Sequence, residues 1–291
     1  MRLTQYADLP HRQTASLLSF VTYCLAAYPG ITLRVREEIK EVLSSTSSPP
    51  TMEQLKSMRY CTPTQIIKNI RSLTNWSSVR AVINETLRLF PPVPMNIRRA
   101  GELSVIFTRL PFLIFHLIQC LAHTTTLSSP LSKGGPFVLP KDVSVTYAPI
   151  LMQRRKDVWG DDAEDFNPDR WINPKPHNKD SATTPTSDAA NAYLRDLTHV
   201  ANPFAFVPFN AGPRICLGMS FALAECMYTV VRMMQTFQNL EIDESKQVLP
   251  PHASQPDGMS SWRSRERCWP RASLTLYIQV CAILPLKLGI Q

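Results

Sequence analysis

Residues 209–218, Phe-Asn-Ala-Gly-Pro-Arg-Ile-Cys-Leu-Gly, run directly into Met-Ser-Phe-Ala-Leu-Ala-Glu at 219–225. The first ten residues form a tight turn, and the residues after them open a helix from about Leu217 to Gln238. Met219, Leu223, Met227, Val230, Val231 and Met234 lie along one side of that helix. Cys216 therefore stands just ahead of a helix N-terminus, where the helix dipole and free backbone N–H groups favour a thiolate, the form in which sulfur binds a metal. Gly212 and Gly218 let a flat ligand come close to the backbone, and Arg214 offers a guanidinium for a carboxylate. A buried structural cysteine in a capped turn is the plainer alternative. The joint offsets of Phe209, Gly212, Arg214, Cys216 and Gly218 speak against it.

The rest of the 291-residue chain narrows the choice. Its 31 Lys+Arg against 23 Asp+Glu give a formal charge of +8, and 44% hydrophobic residues against 19% charged are enough to bury a core. With 25 prolines and only 9 glycines, irregular φ-locked connections are favoured over glycine-built phosphate loops. Neither G-x-G-x-x-G nor a Walker-type G-x-x-x-x-G-K occurs. The seven cysteines are odd in number, dispersed and never in a C-x-x-C pair, which argues against a disulfide framework and a zinc site. No H-E-x-x-H or G-x-S-x-G is present, so zincin and serine-hydrolase chemistry can be set aside. Basic residues are scattered without aromatic interleaving, which excludes a nucleic-acid interface and leaves a solvated surface or an acidic protein partner.

Helices are expected over Ala15–Tyr28, with Leu17, Leu18, Val21, Leu25 and Tyr28 on one stripe, over Thr32–Leu43, from an N-cap at Thr51 to Met58, and over Val79–Phe90 before Pro91-Pro92. Residues 137–147 alternate as strands do. Residues 157–171 are irregular, and Asn173–Asn191 is polar enough for a mobile loop. Two apolar runs invite a membrane reading. Ala15–Tyr28 resembles a signal-peptide core but is too short to span. Leu103–Ala122 is long enough, yet it contains Arg109, Pro111, His116 and Gln119, and one Arg at depth costs about 2.5–3.5 kcal/mol.

Glu85 and Arg88 are three residues apart, so they share a helix face and can pair. On spacing alone, that pair reads as a solvated surface one. The wider context changes the expectation, because residues 209–218 resemble the haem-binding loop of the cytochrome P450 family at all five of its defining positions. Glu85-Thr-Leu-Arg88 with Leu-Phe-Pro-Pro-Val-Pro behind it is similar to that family's E-x-x-R helix and proline turn. Phe166-Asn-Pro-Asp-Arg170-Trp171 is similar to its P-E-R-W segment, with Asp169 in place of Glu. The resemblance implies haem b (iron protoporphyrin IX) as cofactor and Cys216 as the proximal thiolate ligand. It further implies Phe209 beside the iron–sulfur bond, Arg214 on a propionate, and Gly212 and Gly218 giving the macrocycle room. Thiolate ligation pushes electron density onto iron and favours O–O cleavage. Glu85, Arg88 and Arg170 would form a buried architectural network. Arg98 stands at an offset where the family often places another propionate arginine; Arg99 is adjacent, and a solvated strand end is the alternative for both.

The implied fold is mainly α with a small β portion: the C-terminal half of a cytochrome P450, one truncated domain over 1–291. The implied activity is insertion of one oxygen atom from O2 into an organic, fatty-acid- or alkane-like substrate. NADPH-cytochrome P450 reductase would be the electron donor, at the endoplasmic reticulum membrane, although the family's N-terminal anchor is not expected in this chain. An alternative, an inactive haem-binding or unfolded fragment, is favoured by the expected absence of the family's N-terminal half and by Gln13. The family's acid and alcohol proton relay falls on Arg12, Gln13 and Thr14, with Pro10 expected to interrupt the helix, so no catalytic residue is assigned. Residues 61–78 and 101–123 read as inserts foreign to the family. Those inserts and residues 1–11 are expected to reflect untranslated or misjoined sequence.

Overall fold

The computed structural model describes residues 9–43, 48–59, 78–99, 124–127, 137–140, 142–172, 203–242, 270–272 and 275–278. They fall into two units, one made of Met1–Pro94 with Pro149–Gln291 and the other of Met95–Ala148.

In the first unit, helix α1 spans Leu9–Ala27. Pro10 does not interrupt it. A proline in the first turn removes only an N–H that no helical carbonyl would have accepted. The buried stripe is Leu17, Phe20, Val21, Cys24 and Leu25, which is helical spacing, while Leu18 is half-buried and Tyr28 exposed. The inward face is thus rotated from the one expected by sequence. α1 ends at Ala27, Pro29 starts α2 (Pro29–Val42), and the two helices meet at 107°. Thr32 Oγ1 ties the corner by donating to Leu25 O at 2.6 Å. Thr32, Val35 and Ile39 face the core, and Leu33 is exposed.

Helix α3 (Met52–Arg59) begins with a reciprocal capping box. Gln54 N donates to Thr51 Oγ1 at 3.2 Å, and Thr51 N to Gln54 Oε1 at 2.8 Å. Helix α4 (Ser78–Leu89) is buried at every residue from Val79 to Leu89. Its first turn is capped from α2, where Glu38 Oε2 accepts from Ser78 N at 2.6 Å. Short helices α5 (Pro149–Met152), α6 (Lys156–Trp159) and α7 (Asp169–Ile172) punctuate the irregular segment. Helix α8 (Met219–Thr236) buries Leu223, Cys226, Met227, Val230, Val231 and Met234, the stripe expected from sequence. α1, α4 and α8 pack on one another, and Phe20 stacks on Phe90 with centroids 4.6 Å apart. Each such fully buried side chain contributes about 1.5–3 kcal/mol relative to exposure. Arg36 caps the far end of α8 by donating to Met234 O at 2.6 Å.

In the second unit, β1 (Asn96–Arg99) and β2 (Thr124–Leu127) pair antiparallel with β4 (Ser144–Tyr147) and β3 (Phe137–Pro140) respectively. The alternation over 137–147 is therefore two strands. Between them Asp142 takes φ 66°, a conformation in which aspartate is enriched. Back in the first unit, β5 (Pro270–Ala272) and β6 (Leu276–Ile278) form a small hairpin. Leu276 N donates to Pro92 O at 2.8 Å, and Ser16 Oγ donates to Leu276 O. The fold is thus mainly α with three two-stranded sheets among the described residues. Of the two stretches expected to be foreign, 61–77 and 101–123 lie outside the described residues, as do 103–122 and 173–191; Ser78 opens α4. No single helix among the described residues is long and apolar enough to cross a membrane.

Candidate functional site

The cysteine turn is built by two left-handed residues. Asn210 (φ 61°) and Gly212 (φ 66°) reverse the chain, asparagine being one of the few residues besides glycine that tolerate this region. A 3-10 turn over Gly212–Arg214 follows. Cys216 N donates to Phe209 O at 2.9 Å, closing the loop, and Cys216 O accepts from Met219 N at 3.3 Å. Gly218 is the N-cap of α8, which starts at Met219, two residues later than expected from sequence. A Cβ on Gly218 would lie 3.9 Å from Cys216 Sγ. Phe209, Gly212, Arg214, Cys216 and Gly218 are thus brought into one turn. Cys216 is an exposed free thiol, which excludes the buried structural cysteine.

The exposed donors around that thiol fit haem. Arg214 is exposed and makes no ion pair among the described residues. Leu217 and Phe221, two large apolar side chains next to the turn, are 101% and 72% exposed. A soft sulfur, a free guanidinium and bare apolar surface together suit a flat apolar macrocycle that carries carboxylates and a metal. Among the described residues no three His, Cys, Asp or Glu side chains converge as a metal site. Haem iron brings four ring-nitrogen ligands of its own and would ask only a sulfur of the protein on this side.

Cys24 and Cys226 are buried. Burial, with the neighbouring Glu225 charge adding to it, pushes the Cys226 thiol up to about 12. Since the thiolate is the reactive form, iodoacetamide at neutral pH is expected to label Cys216 at least about tenfold faster than Cys226. Peptide mapping by mass spectrometry reads this directly. Equal rates at the two sites would contradict the exposed placement of Cys216.

Behind the turn, the Glu85 carboxylate is fully buried and accepts five hydrogen bonds. Oε1 receives Arg88 Nη2 at 2.8 Å, Arg170 Nε at 3.0 Å and Asn167 N at 2.9 Å. Oε2 receives Arg88 Nε at 2.9 Å and Trp171 Nε1 at 2.8 Å. The solvated surface pair expected from spacing alone is therefore corrected: both side chains are 0% exposed. Arg88 has five N–H donors, and all are used. Beyond the fork to Glu85 they reach Gln153 O at 2.9 Å, Ala163 O, and Asp165 O at 3.0 Å. Burial acts most strongly on Glu85 and raises its pKa, but the Arg88 charge and hydrogen bonds, the Arg170 charge and the Asn167 N–H together hold it below the ordinary carboxylate range. Arg170 is anchored further by Asp162, through Nη2 to the backbone O at 2.9 Å and to Oδ2 at 3.1 Å. Asp169, standing where the family has Glu, forms an exposed two-hydrogen-bond pair with Arg34 of α2, one bond being 3.0 Å.

Two residues not singled out from sequence complete the connection. Trp171 gives its indole N–H to Glu85 while its ring packs on Phe206 at 4.8 Å. Gln153 is fully buried; its Nε2 donates to Leu87 O and Arg88 O, each at 3.0 Å, and its Oε1 accepts from Val207 N at 3.0 Å. Trp171 lay within the quoted motif, but its donor role depends on a partner 86 residues away. Gln153 has no local signal at all. Arg98 lies in the second unit, half-buried on β1 with its guanidinium 5.8 Å from the Tyr147 ring centroid. On α1, Arg12 is exposed and Gln13 and Thr14 are half-buried.

The segment leading into the exposed cysteine turn is thus linked to the buried Glu85–Arg88–Arg170 network through Gln153 and Trp171. The family model described as Cytochrome P450 matches residues 11–107 and 117–264, and the chain belongs to the cytochrome P450 family, whose cofactor is haem. It is 36% identical over 230 residues to Cytochrome P450 52E1 of Candida apicola and 34% identical over 230 residues to Cytochrome P450 52-E3 of Starmerella bombicola, covering 79% of this chain and 33% of each relative. Cytochrome P450 monooxygenase himC of Aspergillus japonicus is 33% identical over 237 residues, covering 79% of this chain and 30% of that relative. The chain thus spans about a third of the length of the curated relatives it matches.

Proposed function

We propose that this chain is the haem-holding C-terminal portion of a single monooxygenase domain, with Cys216 as the proximal sulfur ligand. The observation that carries this is the exposed Cys216 thiol in a turn fixed by Phe209 O and set beside the free Arg214 guanidinium. When bound, haem supplies activation of O2 and transfer of one oxygen atom to an organic substrate. The protein's part is to hold the sulfur, to neutralise a propionate through Arg214, and to leave room for the ring at Gly212 and Gly218. Arg98 or Arg99 is the second propionate candidate. Glu85, Arg88 and Arg170 act at a distance by fixing the segment that carries the turn. A fatty-acid- or alkane-like substrate, NADPH-cytochrome P450 reductase as donor and the endoplasmic reticulum membrane as location follow from family resemblance.

A second reading, haem binding without turnover, is favoured by one observation. At the family's proton-relay positions this chain carries Arg12 and Gln13 on α1, neither of which can pass on a carboxylic proton. Expression with haem supplied, reduction and addition of carbon monoxide tests both. A Soret band red-shifted to the thiolate-ligated position is expected. No such band from soluble protein would sink the haem assignment, and a band without substrate-dependent oxygen consumption would select the second reading.

A further inference from the structure

We propose that Gln153 is a positioning residue for Cys216. It follows α5, which delivers its side chain into the core at the C-terminal end of α4. There the last carbonyls of a helix have no intrahelical donor. Gln153 Nε2 serves two of them, Leu87 O and Arg88 O, each at 3.0 Å. Arg154 Nη2 serves the next, Leu89 O, at 2.7 Å. The Gln153 backbone returns the contact, its carbonyl accepting from Arg88 Nη1 at 2.9 Å. This clasp fixes the amide against the same helix that carries Glu85 and Arg88.

The remaining polar atom points toward the cysteine turn. Gln153 Oε1 accepts from Val207 N at 3.0 Å, and Val207 O accepts from Asn210 N at 3.1 Å. Phe209, between them in sequence, receives Cys216 N at 2.9 Å. Val207 is thus gripped on both sides, and its register sets where the turn begins. Only one orientation of the amide works: reversed, it would turn oxygen toward two carbonyls and NH2 toward an N–H. Neither glutamate nor an apolar residue of the same length can satisfy all three contacts. The assignment rests on Cys216 being the sulfur ligand, and it adds the residue that places that sulfur.

The test measures amide hydrogen exchange of the full chain, wild type and Gln153→Met, together with the reduced carbon monoxide spectrum. Loss of the Val207 contact is expected to speed exchange at Val207 and Cys216 by about tenfold or more, with Val82 and Ile83 of α4 changed less than about twofold. The thiolate-type band should shift or broaden in the variant while helix content stays constant, which a merely structural role would not produce. Unaltered exchange at Val207 and Cys216, or equal acceleration throughout α4, would overturn the proposal. A wild type without the thiolate-type band would reject the haem reading, leaving the exchange arm to judge Gln153. Gln153→Glu, whose carboxylate can still accept from Val207 N but turns oxygen toward Leu87 O and Arg88 O, is the second variant, expected to exchange between wild type and Gln153→Met at Val207. If neither variant folds, a wild-type Val207 amide exchanging like an unprotected one overturns the proposal, and a protected one supports it.

Discussion

Glu85→Gln is expected to cost about 3–5 kcal/mol of folding stability, because it removes the carboxylate charge that bridges two guanidinium groups, one of them wholly buried. Against a total of about 5–15 kcal/mol for an ordinary domain, that is a large share. The variant amide keeps one acceptor oxygen in the position of Oε1 or Oε2 but turns an NH2 toward donors. Five inward-pointing N–H groups then compete for half the acceptor capacity. Urea unfolding followed by tryptophan fluorescence reads the change, since Trp159 and Trp171 sit in the same cluster, 5.8 Å apart. Asp157→Ala serves as the control. Its pair with Arg155 is more than 60% exposed on both sides, so no resolvable change is expected. A similar midpoint for Glu85→Gln and wild type would contradict the network.

Acid should reproduce the effect. Glu85, Asp162 and Asp169 all have carboxyls held below the ordinary range. For Glu85 and Asp162 burial is the largest influence and acts upward, outweighed by arginine charge and by hydrogen bonds; for Asp169 the hydrogen bond from Arg34 dominates. A carboxylate with a depressed folded-state pKa contributes its full stability above the unfolded value of about 4 and loses it as pH falls through the folded value. Stability is therefore expected to be flat at neutral pH and to fall below about pH 4. In Glu85→Gln that acid-dependent loss should shrink, because one of its sources is gone.

What sequence could reveal follows from what each signal encodes. Hydrophobic spacing located α4, but it presupposes a solvent side, and α4 has none: Thr86, Glu85 and Arg88 are as buried as Val82 and Leu87. Only the family pattern indicated that Glu85 and Arg88 would be internal. On α1 the spacing locates the helix and the inward Leu17, Val21 and Leu25, but it selects Leu18 and Tyr28 over Phe20 and Cys24, since two adjacent apolar stripes are equally periodic. Pro10 is expected from sequence to interrupt α1, yet it lies in the first turn, where a helix N–H has no carbonyl partner. The cysteine turn was legible because its chemistry is contiguous. Gln153 was not, because an amide bridging residues 65 and 54 positions away leaves no trace in its own neighbourhood.

Cys216→Ser is expected to abolish the thiolate-type carbon monoxide band altogether while leaving the fold intact. The two consequences have separate causes. Cys216 is exposed and its thiol makes no hydrogen bond among the described residues, so exchanging sulfur for oxygen should change stability by no more than about 0.5 kcal/mol. Serine retains the backbone N–H to Phe209 O and the carbonyl that receives Met219 N, so the turn keeps its shape. What it loses is the soft, readily ionised donor that sustains thiolate ligation. The measurement pairs the reduced carbon monoxide spectrum with urea unfolding on the same preparation. Loss of the band with unchanged unfolding is the expected outcome. Persistence of the band would move the ligand to another cysteine. Buried Cys226, whose thiol is pushed up to about 12, is poorly suited to replace it, so the search would turn to Cys61, Cys120, Cys268 and Cys281, and the site assigned to the turn at 209–218 would fall.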